Sequence, residues 1–547
     1  MEPTKQQEII IAYKGNAVII AAPGSGKTFV LSEKIKQILT ELKDHEGIAA
    51  ISYTNKASNE LRERSLKNGV NPKSSFFGTI DKFFISEIVI PFGKQMFGHP
   101  HQDFSIVALN TLSEEQQKDF NWFTRSMTPN ALTSEHMEIL KSYFLKGILP
   151  IDAVGVLANY IFTASKACKK YFKARYRYIF IDEYQDSGIN QHEILLQACA
   201  LNIFGVAVGD LNQSIYAFSG KDAKYLSDLT QSTLFRLFKL DKNHRCHPSI
   251  INYSNYLLNP KTALIPVDSI VVFYHKVDGN EIAIAAWIDK NLASIKTKFS
   301  IDNNKLIAVL TRGNRTAEII NKNLKTPSKI SITTSLDLSL NIWSGIFSNL
   351  LNFIYNSSYK FIEVVEGFTT YDKLSKADRK KIIELKSKVT DIFSLKEFDK
   401  TLALSTFQNI AEIIAPNSFN AESVDLLDEV LSSPGQLYSY QPPKAEEIGI
   451  MTLHKSKGLE FDLVIHLDLC EWILPYGAKG SQKKDLPLEW IQDINLHYVG
   501  VTRAKKGCIL LVSTLRTNNQ GEIKNVVDSE FLWENEIEKL RYVKAKK

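Results

Sequence analysis

Residues 21–28 read AAPGSGKT. Two glycines one residue apart, followed by Lys-Thr, suit the binding of phosphate. Backbone N–H groups in such a loop converge on an anion where a helix begins. Lys27 then offers a point charge to the outer phosphates, and Thr28 offers a hydroxyl to a magnesium ion. Ala21 stands where the general G-x-x-x-x-G-K-[ST] pattern has glycine. Alanine costs nothing there provided its φ is negative. Ala22, Pro23 and Ser25 fill the loop, while Gly24 and Gly26 fall where the backbone must approach phosphate or take unusual dihedrals. The expected ligand is ATP with Mg²⁺.

Two further stretches carry the same chemistry. IFIDEYQD (179–186) is an apolar run ending in carboxylates. There Asp182 can hold the metal and Glu183 can face a water, although an acidic pair taken alone is also a common solvated strand end. GDLNQSIYAFSG (209–220) is another apolar run that ends in a polar loop. Its Gln213 can orient the attacking water or sense the terminal phosphate. Tyr216 and Phe218 are either core residues or stacking platforms for bases, the latter worth about 1–3 kcal/mol each.

These residues need a scaffold, and the sequence outlines one. NAVIIAA (16–22) and GIAAISYT (47–54) read as buried strands, each followed by a helical pattern, FVLSEKIKQIL (29–39) and ASNELRER (57–64). Strand–helix alternation predicts a parallel α/β sheet. The rhythm stops at 85–175, where SEEQQKDFNWF and SEHMEILKSYFLKG read as helices, and resumes at YRYIFID (176–182). A second helical interval runs from 326, with GQLYSYQPPKAEE (435–447) as the linker candidate and a lysine-rich end, YVKAKK, expected to fray. The predicted organisation is a first α/β core at 1–84 and 176–240 interrupted by a helical insertion at 85–175. A second core at 241–325 and 446–547 is interrupted by an insertion at 326–445.

Bulk properties bound the class. The chain has 547 residues, 44% of them hydrophobic, enough for about three or four compact units. Its longest apolar runs are strand-sized, and MEPTKQQEII lacks a basic-then-apolar leader pattern, so a soluble cytoplasmic protein without membrane contact is expected. Cys168, Cys199, Cys246, Cys470 and Cys508 are scattered without a C-x-x-C pair, which argues against a disulfide framework or zinc cluster. A net charge of +6 and a pI near 8.7 permit a polyanionic partner without requiring one.

In this order the motifs resemble the UvrD/Rep/PcrA-like class of superfamily-one DNA helicases, whose phosphate loop reads A-x-x-G-x-G-K-T. The resemblance implies two RecA-like P-loop domains, each carrying a mainly helical insertion, with ATP between them. TKQQEII resembles the adenine-reading glutamine motif and points to Gln6. SYTNKASNELRER and GTIDKF resemble strand-tracking motifs, with Thr54, Asn55 and Thr79 as DNA contacts. LDKNHR and YVGVTRAKK imply that Arg245 and Arg503 face the γ-phosphate. IAVLTRGNR brings in Arg312, and TLHKSKGLEFDLV places His454 near DNA and Glu460 near the nucleotide. Asp81, Phe218 and Ser219 depart from the family's usual histidine, tryptophan and arginine. GTIDKFFISEIVIPFGKQMFG and FIDEYQDSG further resemble the helicase-like subunit of the Gabija antiviral defence system. That likeness implies a hetero-oligomer with an OLD-like nuclease subunit carrying ATPase and Toprim domains. The expected activity is 3′–5′ unwinding of single-stranded or partly duplex DNA. The alternatives are an ATP-gated DNA-end sensor that regulates a nuclease with little unwinding, or a stand-alone repair helicase.

Overall fold

The computed structural model describes residues 2–543 except 54, 103, 216–220, 332, 340, 357–358, 367, 369–373, 395–397, 417, 477–487 and 519. Two parallel sheets organise the chain. The first comprises β1 (Ala17–Ala21), β2 (Gly47–Ser52), β3 (Phe76–Thr79), β4 (Tyr176–Ile181), β5 (Phe204–Gly209) and β6 (Arg236–Leu240), in the spatial order β3-β2-β4-β5-β1-β6. The second comprises β7 (Val272–Val277), β8 (Ile307–Thr311), β9 (Ser328–Ile330), β10 (Ile448–Thr452), β11 (Phe461–His466), β12 (Ala504–Ser513) and β13 (Tyr542–Val543), in the order β9-β10-β8-β11-β12-β7-β13.

Alternation along each strand explains why both sheet faces are covered. Val18, Ile51, Ile179 and Ala207 enter one buried cluster, and Ile19, Ala50, Phe180 and Val208 enter the cluster on the opposite face. Ala308, Leu310 and Val464 are divided from Ile307, Val309 and Ile465 in the same way. A strand buried on both faces has to be a continuous apolar run, as these are. In parallel strands every C-terminus lies at one end of the sheet, so the loops that follow them gather there.

The span between β3 and β4 is mainly helical. It includes Ile80–Phe83 and Ile90–Phe97 joined by a wide π turn, and helices Ser134–Leu145, Ile151–Ala164 and Lys166–Arg175. It also holds a small parallel pair, Ser105–Val107 with Ile148–Pro150. The expected helix at 113–123 is only Glu114–Lys118. Beyond it Phe120 turns into a local core, and Trp122 stacks on His136 at 4.0 Å, so tertiary aromatic packing overrides helical pattern. The span between β9 and β10 is helical and has its own core around Trp343, Phe347 and Phe407. Its linker candidate begins as the helix Pro434–Ser439, because Ser433 caps it and Pro434 fits a first turn. Of the end expected to fray, Tyr542 and Val543 instead form β13, where Tyr542 pairs with Phe273, and 544–547 lie outside the described residues. Among the described residues no helix is long and apolar enough to cross a membrane. All five cysteines are buried and unbridged.

Candidate active site at the seam of the two sheets

The phosphate loop follows β1 and opens the helix α1 (Lys27–Glu41). Ala21 is fully buried in β1, paired with Leu240, and takes ordinary backbone dihedrals. Ala22 N–H donates to the Leu240 carbonyl at 3.0 Å, and Ser25 N–H donates to that of Ala22. Pro23 lies between those two anchors. Gly24 and Gly26 have φ of +69° and +87°, the left-handed region open to glycine at no steric cost. A Cβ on Gly24 would lie 2.6 Å from both Asn243 Oδ1 and Arg245 Cβ.

Asp182 and Glu183 follow β4, at the same end of the sheet. Lys27 Nζ donates to Glu183 Oε1 at 3.2 Å. Burial opposes charge on Lys27, but Glu183, Asp182 and Asp210 together hold its pKa above the usual lysine value. Burial also resists ionisation of Glu183, yet Lys27 and Lys457 keep its pKa low. Asp182, buried beside that negative charge, is pushed up. Gln213, after β5, donates to Asp210 Oδ2 at 2.8 Å and accepts from Arg503 Nη2 at 3.3 Å. Gln213 belongs to the first sheet's loops and Arg503 to the second sheet's, so this contact spans the seam. Arg503 is buried. Desolvation and the nearby Arg245 lower its pKa to about 10, which leaves it charged at neutral pH.

Arg245 lies on the crossover between the sheets. Its Nη2 donates to the Thr502 carbonyl at 2.9 Å, and its Nη1 lies 3.6 Å from half-exposed Glu460. His244 N–H meanwhile donates to the Gly24 carbonyl at 2.9 Å. Gln6 is exposed, and its amide reaches the Lys239 carbonyl. The neighbouring Gln7 is the glutamine that touches the loop, donating to the Ser25 carbonyl at 3.1 Å.

The site suits a magnesium–triphosphate ligand. Ser25 Oγ and Arg245 Nε are buried and have no hydrogen-bond partner among the described residues, and both adjoin the glycine cradle. Asp182, Glu183 and Asp210 set three carboxylates around one lysine, an anionic excess that a divalent cation offsets. Among the described residues no cluster of three His, Cys, Asp or Glu could hold a metal alone. That suits Mg²⁺, which takes one or two protein ligands and shares the rest with phosphate and water. Thr28 stands in the first turn of α1 and Asp182 beside Lys27, where each could hold such an ion.

The strand-tracking candidates are less uniformly placed. Arg312 and His454 come together after β8 and β10. Arg312 N–H donates to Asp468 Oδ2 at 2.7 Å, and its Nη2 lies 3.5 Å from Asp493. Burial, with Arg312 and Lys457 close by, pushes His454 down to about 4, so it is neutral at neutral pH; its ring also bonds the Ile215 backbone. Thr79 ends β3 and caps the next helix by accepting from Lys82 N–H. Asn55 begins the helix Asn55–Ser65. Thr54, Tyr216, Phe218 and Ser219 lie outside the described residues.

A family model described as an AAA domain matches residues 6–219, and one described as a UvrD-like helicase C-terminal domain matches 347–516. The chain belongs to the UvrD-like helicases. Its class is that of the ATP-dependent DNA helicases, built on two RecA-like domains. Gabija protein GajB of Bacillus cereus (strain VD045) is 26% identical to this helicase over 543 residues, covering 96% of this chain and 99% of that one. ATP-dependent DNA helicase Rep of Buchnera aphidicola subsp. Acyrthosiphon pisum is 24% identical, covering 98% and 99%. A probable DNA helicase II homolog of Rickettsia felis is 22% identical, covering 92% and 91%.

Several residues of the helicase site carry no sequence signal strong enough to single them out. Gln185 donates to Glu183 Oε2 at 2.5 Å and accepts from Asp210 N–H at 3.0 Å. Lys457, from the second domain, donates to Asp186 Oδ2 at 2.5 Å and to the Gln213 carbonyl at 2.9 Å. Asn495 donates to the Ser214 carbonyl at 3.1 Å. Each is an ordinary polar residue until the fold sets it, Gln185 between two loops of the first sheet and Lys457 and Asn495 across the seam. The IFIDEYQD and TLHKSKGLEFDLV strings, which hold Gln185 and Lys457, were the only hint.

Proposed function

We propose that this helicase hydrolyses ATP to move along DNA 3′ to 5′, acting with a nuclease subunit in bacterial antiviral defence. One observation carries the motor reading: Gln213 bonds Asp210 on its own domain and Arg503 on the other. A group that senses the outer phosphate is thereby tied to the relative position of the domains.

The residue roles follow from charge and reach. Backbone N–H groups of 24–28 and the Lys27 ammonium bind phosphate oxygens. Glu183 accepts a proton from water that Gln213 helps orient. Arg245 and Arg503 offset negative charge at the transferred phosphoryl group, and an arginine in that role is worth about 10³–10⁵ in rate. Thr28 and Asp182 would hold magnesium, which would offset charge on the phosphates. When that charge is gone the arginines lose their partner and the domains part. DNA lying across the strand C-termini of both sheets, over Thr79, Arg312 and His454, then shifts relative to one of them. The polarity rests on the UvrD-like resemblance. The defence role and an OLD-like nuclease partner with ATPase and Toprim domains rest on the likeness to GajB.

Lys27→Ala is expected to abolish DNA-stimulated ATP hydrolysis, and wild-type turnover in that variant would exclude the loop as the site. Strand displacement on duplexes with a 3′ or a 5′ tail, with and without the nuclease, tests polarity and output. Preference for the 5′ tail would reject the stated direction. Nuclease activation without displacement would make the protein a gated sensor instead.

A further inference from the structure

The excess of positive charge is not spread evenly. Residues 153–181 contain six lysines and arginines and no acid, a surplus as large as the +6 of the whole chain. Five of the six, four lysines and Arg175, are on the helix Lys166–Arg175. At 100° per residue, Lys166, Lys169, Lys170 and Lys173 fall within about a third of the helix circumference. Cys168 and Phe172 face the other way and are fully buried. Lys166, Lys170 and Lys173 are exposed. Among the described residues none of these three has a carboxylate within ion-pair distance.

The two arginines behave differently, which sets the stripe apart. Arg175 pairs with Glu87, and its Nε donates to the Ser74 carbonyl at 2.8 Å. Arg177 pairs with Glu46 at 2.6 Å. Glu46 and Ser74 sit at the N-terminal ends of β2 and β3, and Glu87 in the π turn after Phe83, so Arg175 ties the helix to that end of the sheet. The lysines are left over. Phosphate chemistry and the tracking candidates occupy the opposite end. β4 alone, six residues long, separates the two by about 20 Å. The stripe therefore belongs to neither site described above.

We propose that this lysine stripe is a second nucleic-acid surface, gripping the phosphate backbone of duplex DNA. Lys166 to Lys173 spans about 10 Å of helix. Over that length duplex DNA presents about six phosphate charges, a density that rewards several lysines on one face. Tyr171, 39% exposed, accepts a hydrogen bond from Arg175 at its hydroxyl, so the lysines alone form the stripe. The inference rests on the DNA-binding reading above and extends it to a separate surface.

The test is Lys166→Glu/Lys170→Glu/Lys173→Glu, three exposed helical positions where folding is undemanding, alongside the matching triple arginine variant. Anisotropy with a blunt 20-base-pair duplex is measured between 50 and 200 mM salt. Three lost phosphate contacts should flatten the log–log salt slope by about 2.7, so the wild type should lose about 40-fold more affinity across that range than the glutamate variant. The arginine variant should keep the wild-type slope. ATP hydrolysis stimulated by single-stranded oligonucleotide should be unchanged in all three proteins. An unchanged slope in the glutamate variant overturns the proposal. So does retained duplex binding with loss of poly-glutamate binding, which would assign the stripe to an acidic protein. A wild type that binds neither duplex nor single strand would instead sink the DNA-binding reading itself.

Discussion

Glu183 sits in a left-handed backbone conformation, φ 53° and ψ 42°, which costs a non-glycine residue about 1–3 kcal/mol. Its surroundings hold it there. Its N–H donates to Asp182 Oδ1 at 2.9 Å, and its carbonyl accepts from Asp186 N–H at 2.9 Å. Both carboxylate oxygens are also engaged, Oε1 by Lys27 and Oε2 by Gln185. Gln185 is fixed in turn by Asp210 N–H, and Gly209 makes the space, since a Cβ there would stand 2.3 Å from Gln185 Oε1. The geometry makes Gln185 a positioning residue that aims the carboxylate without touching the reacting atoms. Gln185→Ala should lower kcat and kcat/KM together by about 10²-fold, the scale of an ångström-sized misplacement, while nucleotide affinity holds. Steady-state kinetics paired with equilibrium nucleotide binding would check this. A raised KM at constant kcat would move Gln185 to a binding role. Gly209→Ala should reproduce the defect by pushing the same amide aside.

At the scale of elements, a chain of neutral side chains ties β11 to the helix Leu488–Thr502 that carries the last motif. His466 Nδ1 lies 2.9 Å from the Leu467 carbonyl, His497 Nδ1 lies 3.1 Å from His466 Nε2, and the Tyr253 hydroxyl lies 3.4 Å from His497 Nε2. With both imidazoles neutral, each contact finds a donor only when both are Nδ1–H tautomers. Burial agrees, pushing His466 down to about 4 and His497 well below its usual value. An unfolded histidine titrates near 6.5. The His466 share of stability, about 3 kcal/mol, is therefore full above that pH and lost as pH falls toward 4. Nitrogen-15 NMR on histidine-labelled protein should show both imidazoles unmoved from pH 7.5 to 5 while exposed histidines titrate. Midpoints near 6.5 for His466 and His497 would refute the relay. Such a chain cannot be read from sequence, because His466 and His497 are far apart and neither falls in a motif's key position. What sequence does reveal at this scale are continuous apolar runs: NAVIIAA, GIAAISYT and YRYIFID coincide with β1, β2 and β4 to within a residue or two. Burial on both faces demands that pattern. Amphipathic surface segments such as 113–123 lack so strict a demand, and aromatic packing decides them. The site divides in the same way. Loop glycines and carboxylates announce themselves through chemistry. Gln7, Gln185 and Lys457 do not, because their roles exist only once distant elements meet.

For the whole molecule, the decisive feature is that the first domain lends a piece of chain to the second. Ile215 is 1% exposed and packs in the second domain's core with Leu496 and Val499. Asn495 holds the Ser214 carbonyl, and Lys457 holds that of Gln213. The segment from Asp210 to Ile215 thus begins at the nucleotide site and ends inside the other domain, so domain motion and Gln213 position are mechanically linked. The Lys457–Asp186 pair is the charged part of this grip, with Asp186 1% exposed. Removing one partner of such a pair strands a buried charge, at about 3–5 kcal/mol, whereas removing both is far milder. Lys457→Met should therefore favour the parted arrangement: inter-domain FRET falls and DNA-stimulated turnover drops at least about 10-fold, while the loop still binds nucleotide. Adding Asp186→Asn to Lys457→Met should restore part of the FRET signal, with a coupling of about 1–3 kcal/mol between the two sites. If the single effects simply add, the ion pair is not a unit, and closure rests on the apolar seat of Ile215 alone.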